Sequence, residues 1–396
     1  MQKHILWRMA AFALILALLV VGLDRALFDE STVQPCWQAI RSGSTEKVDV
    51  LFAGNSHTYA SLDTDVLAQA LHKNIQLLRC SSANGGIVAA MLEAYLHYTV
   101  PDIVVLECNP FMVDNYAAMR GDLKGIVYQS FDGIPGYWHK AKALGSVLRA
   151  EDVPAGVFQL FRPTAMWTRW QRGEKAPAPG YEPYQHVTFQ RDYDAAAFEA
   201  YYRAEEAAEG SLHPANQQAL DRIIALAEAL DFDVWLIAAP VAHYAEGYQQ
   251  DLRNLYAISQ RCSRITLFDN SLQQLSRIGL TAHDFADAGH LSRRGAQKYT
   301  QHVMNLLADH YGSEPDVQGV LAYKGESAES GVVRMECWGD ALYSFEYQGV
   351  QTPFSKENAF ALPESAKPQD VTVRMRLQSD PEGAEAIYRF MEEREP

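Results

Sequence analysis

Between Val48 and His310 the chain alternates short apolar runs with helix-length amphipathic segments, and the alternation fails once. Val48 to Ala53 (VDVLFA), Asn74 to Cys80 (NIQLLRC), Ile103 to Glu107 (IVVLE), Asp233 to Ala239 (DVWLIAA) and Ile265 to Phe268 predict strands. Short, largely apolar runs that alternate with helices suit strands covered on both faces, as in a parallel sheet packed between helices. Helices are predicted at about 64–72, 87–98, 216–230, 248–261 and 292–310, where they serve as the crossovers that parallel strands need.

The rhythm fails between about 111 and 215, a stretch rich in Gly, Pro and aromatics that include Tyr128, Phe131, Tyr137, Trp138, Trp167, Trp170, Tyr181 and Tyr184. It reads as an insertion, either an aromatic wall for a sugar or a lid with its own small core. After Pro315 the pattern changes to alternating runs such as Val332 to Cys337, Leu342 to Tyr347 and Val371 to Leu377, separated by Gly, Pro and Ser. That pattern predicts a small β-sandwich-like domain over 316–380 that binds glycan or a partner protein. The charged tail, 381–396, is expected to pack loosely. No internal repeat is visible.

The N-terminus adds a membrane to the picture. Lys3 and Arg8 precede an apolar run from Met9 to Leu23, and counting from Ile5 the span approaches the ~20 residues that cross a bilayer. No small-x-small cleavage site follows Leu23, so residues 1–28 read as an anchor in preference to a cleaved signal peptide. A helix buried in a core fits less well, since the run is apolar on every face. Lys3 and Arg8 would stay in the cytoplasm by the positive-inside rule, which sends the rest to the periplasm or cell exterior.

Composition narrows the partners. With 396 residues and 48% hydrophobic content, the chain can bury one large core and retain a smaller domain, with 29–312 as the main unit. The net charge of −15 contains no basic run able to neutralise a phosphate backbone, which argues against nucleic acid. The five cysteines (Cys36, Cys80, Cys108, Cys262, Cys337) lack CxxC spacing, so no metal is expected. Outside the cytoplasm one disulfide can form, but an odd count leaves a free thiol; Cys80 and Cys108, in apolar runs, read as small buried side chains.

In a doubly wound sheet, ligands bind beyond the carboxyl ends of the strands. The first predicted strand delivers Gly54-Asn55-Ser56-His57, the second leads to Asn84-Gly85-Gly86, the third to Asn109, and the last to a loop containing Asp284, Asp287 and His290. A serine attacks at neutral pH only when a base takes its proton, and histidine is the side chain suited to that. Asp287, three residues before His290, can reach the imidazole and fix its tautomer. Asp284 competes for that role from further away. The Ser56 amide, a Gly85 or Gly86 amide and the Asn109 side chain are candidate oxyanion donors. Each has a plainer reading: Ser56 or Asn109 as a turn cap, His57 as a side chain pointing elsewhere, His283 as a surface residue. Their joint order at strand ends favours the chemical one.

The segment FAGNSHTYASLD resembles the first block of SGNH (GDSL-like) hydrolases, and DAGHLSRRGAQKYT resembles their last. The Ser-His pair, the anchor and the HLSxxGA ending are most similar to membrane-anchored envelope SGNH-like proteins, among them the alginate O-acetylation and teichoic-acid D-alanyl transfer proteins. The resemblance spans about Val48 to Gly312, outside the insertion. It implies a flavodoxin-like three-layer α/β/α fold of the α/β class, with Ser56 as nucleophile and first oxyanion donor, Gly85 or Gly86 as second, Asn109 as third, and Asp287 with His290 completing a triad. His57 and Asn84 become possible substrate contacts.

The third block departs from the family pattern, reading Glu107-Cys108-Asn109-Pro110 in place of Gly-x-Asn-Asp. The implied activity is that of an esterase or O-acyltransferase on acyl, chiefly acetyl, esters of envelope or exported polysaccharide, without a cofactor. The alternatives are a non-catalytic carbohydrate-binding or assembly protein partnering a membrane-bound O-acyltransferase, and a secreted lipase.

Overall fold

The computed structural model describes residues 2–28, 33–44, 46–162, 212–242, 247–271, 274–281, 284–287, 289–364, 366–382 and 385–390. Five strands form one sheet: β1 (Val50–Gly54), β2 (Ile75–Arg79), β3 (Ile103–Glu107), β4 (Asp233–Ala238) and β5 (Ile265–Asp269), in the order β2-β1-β3-β4-β5. Every pairing is parallel. This is a flavodoxin-like order, in which the winding reverses between β1 and β3 and leaves a crevice at their carboxyl ends. All residues of β1 and β3 are buried, which is why they read as unbroken apolar runs. The edge strands β2 and β5 are mostly half-buried.

The helices are α1 (Gln2–Leu27), α2 (Pro35–Arg41), α3 (Ser56–Tyr59), α4 (Thr64–Leu71), α5 (Gly85–Leu96), α6 to α10 in the insertion (Asn109–Met112, Tyr116–Arg120, Lys124–Ser130, Tyr137–Gly145, Val153–Val157), α11 (Pro214–Leu230), α12 (Tyr248–Ser259), α13 (Leu275–Ile278) and α14 (Arg293–Tyr311). Two helix pairs cover the sheet, α5 with α11 and α4 with α14. Side-chain caps set their starts: Asp63 accepts from the Val66 amide, Asn84 from Ile87 and Ser292 from Gly295. Deleting a core side chain such as Leu106, fully buried in β3, would cost about 2–5 kcal/mol.

The described part of the insertion does not form a core of its own. Phe111, Met119, Val127, Phe131 and Leu144 join the main cluster with the sheet. Tyr128 and Phe131, offered above as part of an aromatic wall, are buried, whereas Trp138 is 76% exposed. Trp167, Trp170, Tyr181 and Tyr184 lie outside the described residues. Buried Asp132 ties the insertion together, pairing with Lys140 at 3.0 Å and accepting from Arg162 Nη1 at 2.7 Å. Burial pulls the Lys140 amine below its usual range, and Asp132 acts in the opposite direction.

Residues His4–Ala26 of α1 are long and apolar enough to cross a membrane, and from His4 to Leu19 every side chain is exposed. Its last turns differ. Asp24 is 2% exposed, accepting from the Leu160 amide (3.2 Å) and the Tyr137 hydroxyl (3.3 Å), and Phe28 packs on the core.

Beyond α14 the chain forms β6 (Ala322–Glu329), β7 (Val332–Trp338), β8 (Ala341–Tyr347), β9 (Val350–Gln351), β10 (Ala359–Ala361), β11 (Val371–Leu377) and β12 (Ala386–Arg389). They make two antiparallel sheets, β10-β7-β6 and β12-β11-β8-β9, over a second cluster that includes Val333, Met335, Phe345, Val373 and Met375. Part of the stretch expected to be a loose tail is strand β12, and Phe390 behind it is 3% exposed. This unit touches α14, where Arg293 pairs with Glu326 at 3.5 Å. All five cysteines are buried and unbridged.

Candidate active site

The site sits at the carboxyl ends of β1 and β3. β1 ends at Gly54, where an added Cβ would lie 2.1 Å from Thr58 Oγ1, so the chain turns directly into α3 only because no side chain is there. Asn55 caps α3 by accepting from the His57 amide at 3.0 Å, and Ser56 follows as the first helical residue. Ser56 Oγ lies 2.8 Å from His290 Nε2. His290 Nδ1 lies 2.8 and 2.9 Å from the two oxygens of Asp287. With the proton on Nδ1 facing the carboxylate, Nε2 keeps its lone pair for the serine proton.

Burial alone would raise the Asp287 carboxyl. Hydrogen bonds from His290 and from the Gly289 amide, at 2.8 Å, outweigh it and hold Asp287 below the usual carboxylate range. Asp284 does a different job. Its fully buried carboxylate accepts from Arg294 (2.7 Å), Lys298 (2.8 Å) and both the amide and hydroxyl of Thr281, pinning the loop to the start of α14. The Phe285–Leu291 bridge and the Ala286 amide on the His290 carbonyl close that loop. A Cβ at Gly295 would stand 1.9 Å from the Asp284 carbonyl oxygen, so glycine is required for α14 to approach.

The donors divide sharply. No protein acceptor engages the Ser56 amide among the described residues. Asn109 accepts from Asn55 Nδ2 at 2.7 Å through its side-chain oxygen, which leaves its own Nδ2 without a partner among them. The glycines are committed elsewhere: the Gly85 amide donates to Asn216 Oδ1 at 3.0 Å, and the Gly86 amide to the Tyr116 hydroxyl at 3.3 Å. Neither is a ready oxyanion donor in this conformation. Asn84 is 1% exposed, capping α5 and donating to Asn115, so it presents nothing to a substrate here.

His57 stays at the site. Its ring centroid is 5.0 Å from that of His290, and Gly289 lies against its Nε2. Burial, and then the neighbouring His290, lower its pKa to about 3, so it is neutral at pH 7. Its Nδ1 is enclosed and unpartnered among the described residues, as are Thr58 Oγ1 and Glu107 Oε1, all three lining one narrow gap with Tyr299. Glu107 Oε2 accepts from the Asn109 amide at 2.9 Å. Burial pushes the Glu107 carboxyl up to about 8, making it a neutral acid under the nucleophile at pH 7. His283 lies outside the described residues.

Asn55, Glu107, Asn216 and Tyr116 are the participants that sequence reading passed over as site residues. Asn55 alone carried a visible signal, an N-cap residue type directly before a turn serine.

Neither a family model nor a curated protein matches the chain. Among solved structures, an acetyl xylan esterase (Est2A) from the rumen bacterium Butyrivibrio proteoclasticus is similar to it at 9% identity and a TM-score of 0.29. The match covers 67% of this chain and 64% of that one, less than two thirds of the latter's length.

Proposed function

We propose that the protein is a membrane-anchored, extracytoplasmic serine esterase or O-acyltransferase of the SGNH type, acting on acyl esters of envelope or exported polysaccharide, with acetyl as the group transferred. The observation that carries this reading is the continuous path from Ser56 Oγ through His290 to Asp287, each step 2.8 Å long. Ser56 attacks the ester carbonyl while His290 Nε2 takes its proton, and Asp287 stabilises the imidazolium that forms. The tetrahedral oxyanion falls to the Ser56 amide and Asn109 Nδ2, and each such donor is worth about 3 kcal/mol of barrier. Collapse breaks the ester C–O bond, His290 returns the proton to the leaving alcohol, and the acyl group rests on Ser56. Water as acceptor then completes hydrolysis, and a sugar hydroxyl completes transfer.

The reading places α1 in the membrane with Lys3 and Arg8 on the cytoplasmic side. A membrane-bound O-acyltransferase is the partner that would supply acyl groups to a transferase of this kind.

Purified full-length Ser56→Ala should lose activity on acetyl esters and acetylated glycans by at least about 1,000-fold while keeping its fold. Undiminished turnover would end the proposal. A second reading, a non-catalytic glycan-binding or assembly protein, is favoured by the engaged amides of Gly85 and Gly86, which leave fewer oxyanion donors. A serine-directed fluorophosphonate separates the two, since covalent labelling at Ser56 contradicts a purely binding role.

A further inference from the structure

We propose that the face of the insertion carrying Trp138 and Phe161 lies in the headgroup layer of the membrane that α1 crosses, so that the sheet is held on the bilayer at two points instead of swinging from one tether. The inference rests on reading α1 as a retained span and is independent of the ester chemistry.

The depth follows from α1. Ile5 to Leu23, at 1.5 Å per residue, spans roughly 28 Å, close to the ~30 Å of hydrocarbon in a bilayer. Arg8 sits near the N-terminal end, where its long side chain reaches the headgroups. Asp24 is therefore the first polar side chain past the other hydrocarbon boundary.

Asp24 is not left to water or lipid. It is 2% exposed and takes hydrogen bonds from the Tyr137 hydroxyl and the Leu160 amide. These contacts fix two points of the insertion at the same depth. The next residue after each is an exposed aromatic, Trp138 at 76% and Phe161 at 47%. The turn carrying Phe161 packs directly on α1. In water such surface is unfavourable at about 25 cal/mol per Å², whereas the headgroup region is where amphipathic tryptophan concentrates. Arg25, exposed beside Asp24, suits anionic headgroups.

The same contacts bear on processing. Cleavage behind α1 would strip the Tyr137 hydroxyl and the Leu160 amide of their acceptor and uncover the site that Asp24 fills, so the fold itself favours an uncut helix.

The test uses the full chain in nanodiscs of phosphatidylcholine and phosphatidylglycerol, with and without brominated acyl chains, comparing wild type with Trp138→Phe. Brominated lipid should quench a tryptophan component that Trp138→Phe lacks, and aqueous acrylamide should leave that component largely untouched. Trp7, within α1, is the internal control: its quenching shows that the helix is inserted, and its absence would overturn the premise and the proposal together. Trp138 quenched by acrylamide but not by lipid places it in water; quenched by neither, it is covered by protein or a second copy. Either result overturns the proposal. Acetyl-esterase activity, measured alongside, should be unchanged in Trp138→Phe, so that failure of the membrane contact and failure of the catalytic reading are told apart.

Discussion

Replacing Glu107 with glutamine isolates the charge on the floor of the site. The carboxyl is 3% exposed, and burial moves its pKa from 4.5 to about 8 against the pull of the Asn109, Ala239 and Cys108 amides. An acid whose folded pKa exceeds its unfolded one binds more protons in the folded state between the two values. Stability from this group is therefore full below pH 4.5 and is lost as pH rises through about 8. At 1.36 kcal/mol per pH unit in the middle of that window, with a shallower slope near each pKa, the protein should shed about 3–4 kcal/mol between about pH 5 and about pH 8 on account of Glu107. Glutamine keeps the shape and an oxygen for the Asn109 amide but has no charge to desolvate.

Urea unfolding of both proteins across that pH range, followed by tryptophan fluorescence, gives the difference directly. Asp63 and Asp251, each raised to about 6 by burial, and His57, lowered to about 3, also tilt the curves, but they are common to both proteins and cancel. Glu107→Gln should gain on wild type steadily as pH rises. Two curves that run parallel would refute the assignment of a neutral, buried acid at this position.

Two further substitutions probe how the site is held. Asn55→Asp keeps the cap on α3 but cannot donate to Asn109, so it should lower kcat by about 10-fold or more with KM little changed, whereas Asn55→Ala should also lose about 1 kcal/mol of stability; equal kinetics for Asn55→Asp and wild type would remove Asn55 from its positioning role. Gly295→Ala drives a Cβ to 1.9 Å from the Asp284 carbonyl, backbone that cannot step aside. It should cost about 3 kcal/mol in thermal or urea unfolding and reduce esterase activity through displacement of His290; an unaltered melting midpoint would contradict the close approach.

The parts of this architecture that were readable in advance share a physical cause. β1 and β3 are covered on both faces, so their sequences are apolar without interruption, and the residues just past them, Ser56 and Asn109, were marked by position alone. The Asp287 and His290 pair was readable because three residues separate its members. What was hidden depends on distant partners. Nothing near Gly85 or Gly86 announces that Asn216 and Tyr116 will occupy their amides. β12 is short and flanked by charge, and only its pairing with β11 makes it a strand. Glu107 reads as the end of an apolar run, and its neutral form is a property of the surrounding core. Asp24 looked like the end of a span until Tyr137 and Leu160 closed on it.

Ser56 and His290 are separated by 234 positions in sequence, and they meet only when β5, the Asp284 knot and α14 are in place. During synthesis at about 5–20 residues per second, Ser56 leaves the ribosome on the order of ten to fifty seconds before its base. For that interval it is an ordinary alcohol with no base beside it. On the proposed mechanism, the residue contacts that α14 closes are therefore also the ones that turn Ser56 into a nucleophile.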